Sequence, residues 1–159
     1  MTVGPAQATG VVQIGIVVAD AELAANRYRT LLGIDGWQVN HVDMAAGVGT
    51  VQSAGKPTDV KAKIVWTDLA GVELELIEPQ DDNSEYAQFL ATRGPGVHHI
   101  MLGVADYGGS RERLASNGVP LLLEGTLQNS RFCLFDASVE LGMIIELAEG
   151  EELVADRKL

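Results

Sequence analysis

The stretch 99–118, "HIMLGVADYGGSRERLASNG", decides the fold because it repeats an earlier part of the chain. Its counterpart is the stretch 13–33, "QIGIVVADAELAANRYRTLLG". Each begins with a polar residue and an isoleucine, runs through β-favouring residues to Val-Ala-Asp, and then shows a helical pattern that stops at a glycine. Because aspartate favours the start of a helix and glycine its end, the repeat predicts two strand–helix units.

A second pair of related stretches closes each unit. "GVELELIEP" at 71–79 matches "GMIIELAEG" at 142–150, so that Glu75 corresponds to Glu146. Two β-favouring runs lie between helix and last strand in each unit: "GWQVNHVDM" and "VKAKIVW", then "VPLLLEG" and "SRFCLFD". The chain is therefore predicted as one α+β domain over residues 1–159, made of two βαβββ units at about 11–79 and 97–149.

Three segments lie outside this repeat. The first unit contains a surplus, "AAGVGTVQSAGKPTD" at 45–59, which is predicted as a loop. The linker between the units carries Ser84 before an apolar pattern and Gly94 after it, which indicates a short capped helix. The polar end of the chain, "GEELVADRKL", is predicted to fray.

Composition excludes several kinds of function. The net charge of −11 repels phosphates, so the bulk of the molecule is not expected to bind nucleic acid. Cys133 is the one cysteine and lies in an apolar run, which predicts a core residue and no intrachain disulfide. No stretch is typical of a signal peptide or a membrane span, so a cytoplasmic location and no membrane partner are expected.

Strand alternation separates the two adjacent histidines. His99 shares a face with Met101, whereas His98 is predicted on the opposite face. The repeat pairs His99 with Gln13, while it pairs His98 with Val12. We therefore predict that His99, and not His98, carries the site.

A pseudo-twofold axis between the units would bring four equivalent positions together. They offer one imidazole, two carboxylates and one amide oxygen, a set that suits one divalent ion such as Co, Ni, Mn, Fe or Zn. The four predicted ligands are Gln13, Glu75, His99 and Glu146. Glu73, Glu78 and Glu149 are interpreted as ordinary surface charges.

The motifs "VELELIEP", "FLATRGPGVHHI" and "ELGMIIEL" fall in order across residues 11–149 and carry a family resemblance. The chain resembles the vicinal oxygen chelate superfamily of glyoxalases and bleomycin-resistance proteins, and most of all its methylmalonyl-CoA epimerases. This resemblance implies a curved mixed eight-stranded sheet around a central pocket, with a metal at the four positions above. The departure is Gln13, because metal-dependent relatives begin the first strand with histidine.

The resemblance implies an isomerase or epimerase that removes a proton next to a carbonyl through a metal-stabilised enolate. The expected substrate is a small molecule, either an acyl thioester or a 2-oxo compound. Glu146 is the first candidate for the catalytic base because of its apolar neighbours, and Glu75 is the second. Around "DVKAKIVW", where epimerases carry a base, the sequence has no glutamate. Lys61, Lys63 and Arg131 are candidates to meet an anionic substrate group.

Three alternatives stay open. One is a lyase of the glyoxalase kind. Another is a non-catalytic protein that sequesters a small molecule, as bleomycin-resistance proteins do, with Trp37 and Trp66 lining the pocket. A dioxygenase is disfavoured because Gln13 breaks the set of two histidines and one carboxylate that iron needs, unless His98 turns inward. The resemblance also implies a homodimer.

Overall fold

The structure is a computed structural model that describes residues 7–44, 49–53 and 55–159. The helices are α1 (Ala21–Leu32), α2 (Glu85–Arg93) and α3 (Tyr107–Ser116). The strands are β1 (Ala8–Val17), β2 (Gln38–Asp43), β3 (Gly49–Ser53), β4 (Lys56–Pro57), β5 (Lys61–Leu69), β6 (Val72–Pro79), β7 (Gly96–Val104), β8 (Leu121–Leu127), β9 (Ser130–Ala137), β10 (Met143–Gly150) and β11 (Arg157–Lys158).

The strands form one mixed sheet in the order β11-β2-β5-β6-β1-β7-β10-β9-β8-β3-β4. Its centre has the predicted repeat, because β2-β5-β6-β1 mirrors β8-β9-β10-β7. The first strands of the two units, β1 and β7, pair antiparallel in the middle. Each first strand pairs parallel with the last strand of its own unit. The α+β class and the tandem arrangement are confirmed, whereas the described residues form eleven strands rather than eight.

Part of the segment predicted as a loop is strand. Residues 49–53 pair antiparallel with β8 of the second unit, and β4 pairs with β3 in turn. Val51 explains this pairing, since its side chain is buried in a core cluster with Leu123 and Leu127. Residues 45–48 and 54 of the predicted loop lie outside the described residues.

The end of the chain is also ordered, so the prediction of a frayed end is wrong. The main-chain N–H of Val154 donates to Oε1 of Gln128 at 2.8 Å, and its carbonyl accepts from Nδ2 of Asn40 at 3.3 Å. β11 then pairs with β2. The segment 151–156, called the strap below, therefore runs from the turn between β8 and β9 to the first unit's outer strand.

The helices begin and end where the sequence predicts. Asp20, Ser84 and Asp106 each accept a hydrogen bond from a main-chain N–H three residues later, at 2.9–3.1 Å. α1 and α2 end at Gly33 and Gly94, both with positive φ. Within the described residues, no helix combines the length and the apolar character that crossing a membrane requires.

The helices cover different parts of the sheet. α1 packs on β5 and β6 around Trp37 and Val65. α3 packs on β10, in a cluster that includes the fully buried Cys133, as predicted. α2 lies against β6, β7 and β1 and places Tyr86 at one end of the opposite, concave face. The remaining concave face is left open to form a pocket.

Candidate functional site

The concave face of the sheet encloses a cavity of about 380 Å³. Apolar side chains from both units form its walls, including Ile64 and Trp66 from the first and Leu123 and Phe132 from the second. Polar side chains line the part nearest the central strands: Gln13, Glu73, Glu75 and Glu146. Leu153 of the strap lines it too. The cavity has the size and mixed lining of a small-molecule site.

The structure brings all four sequence-predicted ligands together. Nε2 of His99 lies 2.7 Å from Oε2 of Glu146, 3.1 Å from Oε1 of Gln13 and 3.6 Å from Oε2 of Glu75. All four residues are buried. The histidine and the two carboxylates each present one ligand atom within 4.8 Å of the others. Their convergence depends on strands from both units, since β1 and β6 belong to the first and β7 and β10 to the second.

The strand register has the symmetry that the repeat predicts. Gly15 of β1 stands opposite His99, and Gln13 stands opposite Met101. Glu75 pairs with Gly15 and Glu146 pairs with Met101, positions that the repeat makes equivalent. The two carboxylates therefore flank the central strand pair from opposite sides.

Gly15 makes room for the imidazole of His99. A Cβ at position 15 would overlap the ring atoms of His99. The ring can therefore lie across β1 toward Glu75 only because residue 15 has no side chain. Sequence reasoning missed this residue, although a glycine inside a strand is a recognised sign of a close approach.

The prediction that His98 lies on the face opposite His99 is wrong, because β7 contains a bulge. That His99, and not His98, carries the site stays a prediction. Consecutive residues Gly15 and Ile16 of β1 pair with His99 and Val97, so His98 is the extra residue. The bulge breaks the alternation and turns His98 toward its neighbour. Nδ1 of His98 lies 3.1 Å from Nδ1 of His99. The imidazole of His98 is therefore in direct contact with the predicted ligand.

Burial keeps His98 neutral. Loss of hydration lowers the pKa of His98 to about 3, and His99 and Arg93 add smaller effects. The rings of Tyr86 and Phe89 lie 5.0 Å from its ring. When Nδ1–H of His99 donates a hydrogen bond to Nδ1 of the neutral His98, Nε2 of His99 is left free to bind a cation.

Glu73 was interpreted as a surface charge, and the structure shows instead that it is half-buried and lines the cavity. Nε2 of Gln13 donates to Oε1 of Glu73 at 2.6 Å. Because a carboxylate can only accept this bond, the amide oxygen of Gln13 is turned toward His99. Glu78 is not a simple surface charge either, since it accepts from the N–H of Ala21 at 2.9 Å. Glu149 is exposed, as predicted.

The carboxylates repel one another in this site. Burial raises the pKa of Glu75 well above its usual value, and the charges of Glu146 and Glu73 add to the effect. Burial, with the charges of Glu146 and Glu75, likewise raises the pKa of Tyr86 well above its ordinary value. Sequence reasoning missed Tyr86 as a cavity residue, because it lies on the linker helix outside the repeat.

The residues present fit a divalent cation. Ligand atoms that each bind one ion at about 2.1 Å lie roughly 3–3.5 Å from their neighbours, which is close to the 2.7–3.6 Å measured from Nε2 of His99 to the three oxygens. An ion at this point would offset the repulsion between Glu75 and Glu146. Gln13, Glu75, His99 and Glu146 are the residues that would hold it.

The two lysines singled out in the sequence, Lys61 and Lys63, lie away from the cavity. Lys63 forms ion pairs with Glu78 at 3.3 Å and Glu22 at 3.8 Å, and Lys61 pairs with Asp43 at 3.9 Å. These two lysines alternate on β5 with the cavity residues and lie on the other face. Trp66 lines the cavity as suggested.

The two remaining candidates are also engaged elsewhere. Arg131 pairs with Glu149 at 2.7 Å, and its guanidinium lies 4.6 Å from the ring centre of Tyr107. Trp37 does not reach the cavity, because it is fully buried in the core beneath α1. The structure therefore does not place Lys61, Lys63 or Arg131 where a ligand in the cavity would meet them.

Comparison with solved structures finds the same fold in methylmalonyl-CoA epimerases. One from Streptomyces coelicolor, in complex with 2-nitronate-propionyl-CoA, has a TM-score of 0.66 at 24% identity over 92% of this chain and 100% of that chain. One from Mycobacterium tuberculosis has a TM-score of 0.62 at 25% identity, over 91% and 90% of the two chains. A hypothetical protein from Bacillus halodurans has a TM-score of 0.63 at 20% identity, over 92% and 97%.

No curated protein matches the chain in sequence. A family model does match, over residues 12–135, which cover the first unit and the second unit as far as β9. That range includes Gln13, Glu75 and His99, and the sheet order and the antiparallel central strand pair agree with it. The chain belongs to the glyoxalase/bleomycin resistance protein/dioxygenase superfamily.

Proposed function

We propose that the protein is a divalent-metal-dependent isomerase or epimerase that removes and returns a proton next to a carbonyl group. The observation that carries this proposal is the buried set of Glu75, His99, Glu146 and the Gln13 amide oxygen at the cavity on the concave face of the sheet. A pocket that only sequesters a ligand has no need to bury two carboxylates beside a histidine. The likeness of fold to methylmalonyl-CoA epimerases supports the reaction class.

A metal ion bound by Gln13, Glu75, His99 and Glu146 would supply Lewis-acid stabilisation of negative charge on a substrate oxygen. Glu146 takes the proton from the carbon next to the carbonyl, and the C–H electron pair moves into the enolate double bond. Return of the proton to the other face or to another carbon completes an epimerisation or isomerisation. Glu75 is the second candidate for this base. The apolar walls and the strap limit the access of water to the intermediate.

Metal content tests the first part of the proposal. Elemental analysis of purified protein, supplemented with Co, Ni, Mn, Fe or Zn, is expected to show one ion per chain. His99→Ala is expected to lose the ion, because the ligand atom nearest the other three is removed. His41→Ala is the matched control, since His41 is exposed on β2 away from the site. Absence of an ion after supplementation would instead favour a sequestering protein.

Solvent exchange tests the second part. In D₂O, NMR is expected to show deuterium entering the carbon next to the carbonyl of an acyl thioester or 2-oxo compound. Glu146→Gln should slow this exchange by roughly 10²–10⁴-fold. Glu140→Gln, on an exposed turn, is the control. Metal-loaded protein that exchanges no compound of either class would remove the isomerase assignment.

A further inference from the structure

More carboxylates line the cavity than a single metal site needs. Six glutamates line it: Glu73, Glu75, Glu146, Glu149, Glu151 and Glu152. Across residues 7–44, 49–53 and 55–159, no lysine or arginine contributes to this lining. The charged side chains that line the cavity among the described residues are therefore all carboxylates.

Three of these charges have no cationic partner. A divalent ion would offset Glu75 and Glu146, and Arg131 pairs with Glu149. The other three carboxylates are Glu73, Glu151 and Glu152. Within the described part of the chain, Glu73 and Glu151 have only neutral amide donors, from Gln13 at 2.6 Å and Asn129 at 2.8 Å, and no ion pair involves Glu152.

The three carboxylates without a cationic partner lie between the mouth of the cavity and the predicted ligands. Glu151 and Glu152 belong to the strap and are exposed to solvent, so they stand at the mouth. Glu73 is half-buried between the mouth and the predicted ligands, next to Gln13. Glu73 and Glu152 both line this cavity. The two carboxylates therefore act on the same space.

Basic residues that a phosphate or carboxylate would need are engaged elsewhere. Lys63 pairs with Glu78, Arg111 with Glu124 and Arg29 with Asp35. Acyl-CoA thioesters carry several phosphate charges, and the carboxylate of methylmalonyl-CoA adds another. Such a ligand would approach this cavity against its charge and, among the described residues, would find no lysine or arginine in the cavity lining.

We propose that the substrate is a small carbonyl compound with a cationic group, an ammonium or guanidinium, and without phosphate or carboxylate. This inference rests on the proposed function, because it takes the carbonyl to the four predicted ligands. The cationic group lies near Glu73 and Glu152, and the apolar body of the substrate packs between Trp66 and Phe132. The chain thus shares its fold with methylmalonyl-CoA epimerases but selects substrates of opposite charge.

Three rigid aryl ketones that differ in one substituent test the charge preference. They are 3-(aminomethyl)acetophenone, 3-(hydroxymethyl)acetophenone and 3-acetylbenzoate, and their dissociation constants are measured by NMR titration of the metal-supplemented protein. The amine is expected to bind roughly tenfold tighter than the alcohol, and the carboxylate weakest. Raising the salt concentration should narrow these differences.

Variants that remove one negative charge test whether the preference for the amine arises in the cavity. Glu73→Gln and Glu152→Gln should each weaken binding of the amine, on the order of threefold for the exposed Glu152 and more for the half-buried Glu73. Glu152→Gln should not weaken binding of the alcohol. Glu140→Gln makes the same change in net charge at a position away from the cavity. It should leave the dissociation constants of all three ketones unchanged.

The outcomes separate the substrate class from the proposed function. Equal binding of the three ketones, tightest binding of the carboxylate, or no binding at all would overturn the inference. Loss of amine binding in Glu140→Gln equal to that in Glu152→Gln would also overturn it, since bulk charge would then explain the preference. A preference for the amine in a protein that retains no metal would uphold the charge selection while the isomerase proposal fails.

Discussion

At the scale of single residues, the site depends on the absence of a side chain at Gly15. We predict that Gly15→Ala displaces the imidazole of His99, because a Cβ there overlaps its ring. Metal binding should weaken at least tenfold, and the free energy of unfolding should fall by about 1–3 kcal/mol. Calorimetric metal titration and chemical denaturation measure the two effects. Gly10→Ala on the same strand is the control, since no atom lies within 4 Å of a Cβ there; equal effects of both variants would contradict the prediction.

Gln13 is the second residue with a testable role. Imidazole is a better ligand than an amide oxygen for late first-row metals, so Gln13→His should tighten cobalt or nickel binding about tenfold, or roughly 1.4 kcal/mol. Calorimetric titration of both proteins measures this change. The contact between Oε1 of Gln13 and Nε2 of His99 at 3.1 Å motivates the prediction. Unchanged affinity together with slower turnover would mean that Gln13 positions the substrate and is not a ligand; Gln80→His, an exposed site, controls for adventitious binding by an added histidine.

At the scale of elements, the bulge in β7 brings His98 into contact with His99, which strand alternation alone would not predict. His98→Phe should keep the packing against Tyr86 and Phe89 but remove the acceptor next to Nδ1 of His99. We expect metal affinity to fall by about 10–100-fold, as for other groups that orient a ligand histidine. His98→Gln retains an acceptor oxygen and should recover part of the affinity. If His98→Phe binds metal as tightly as the unaltered protein, the contact between the two histidines has no role in binding.

The same element shows what could be predicted from sequence and what could not. The repeat predicted that Gln13, Glu75, His99 and Glu146 come together, because equivalent strands place equivalent residues at equivalent points of the sheet. It could not predict the orientation of His98, since a bulge depends on how two strands pair rather than on the period of one. The role of Glu73 was missed for a related reason: its partner, Gln13, comes from the neighbouring strand.

Segments outside the repeat were predicted less well. β3 is strand because β8, far away in sequence, offers it an edge and a core for Val51. The strap is ordered because Asn40 and Gln128 hold Val154 from two sides. Helix ends were predicted better, because a capping side chain and its N–H partner lie within three residues of each other. Local chemistry was thus visible in the sequence, whereas long-range pairing was not.

At the scale of the whole molecule, a homodimer stays a prediction. α1 leaves apolar side chains in solvent, with Leu31 at 78% and Leu32 at 68% exposure, and such residues favour an interface. Sedimentation equilibrium at micromolar concentration should show twice the chain mass. Leu31→Asp should shift the equilibrium toward monomer, whereas Val139→Asp, on an exposed turn, should not. A single species of monomer mass would remove the prediction and leave the fold untouched.

Metal binding should stabilise the molecule as a whole, because its predicted ligands come from both units: Gln13 and Glu75 from the first, His99 and Glu146 from the second. An ion at about 100 times its Kd adds roughly 2.7 kcal/mol to the free energy of unfolding, provided that it binds only the folded state. For a chain of 159 residues this corresponds to a rise in Tm of roughly 5–11 °C. Differential scanning calorimetry with added ion, then with EDTA, should show the rise and its reversal as one transition. His99→Ala should show neither, and His41→Ala should show both. Two separate transitions, of which the ion shifts only one, would show that the two halves of the sheet unfold independently and that the metal does not join them.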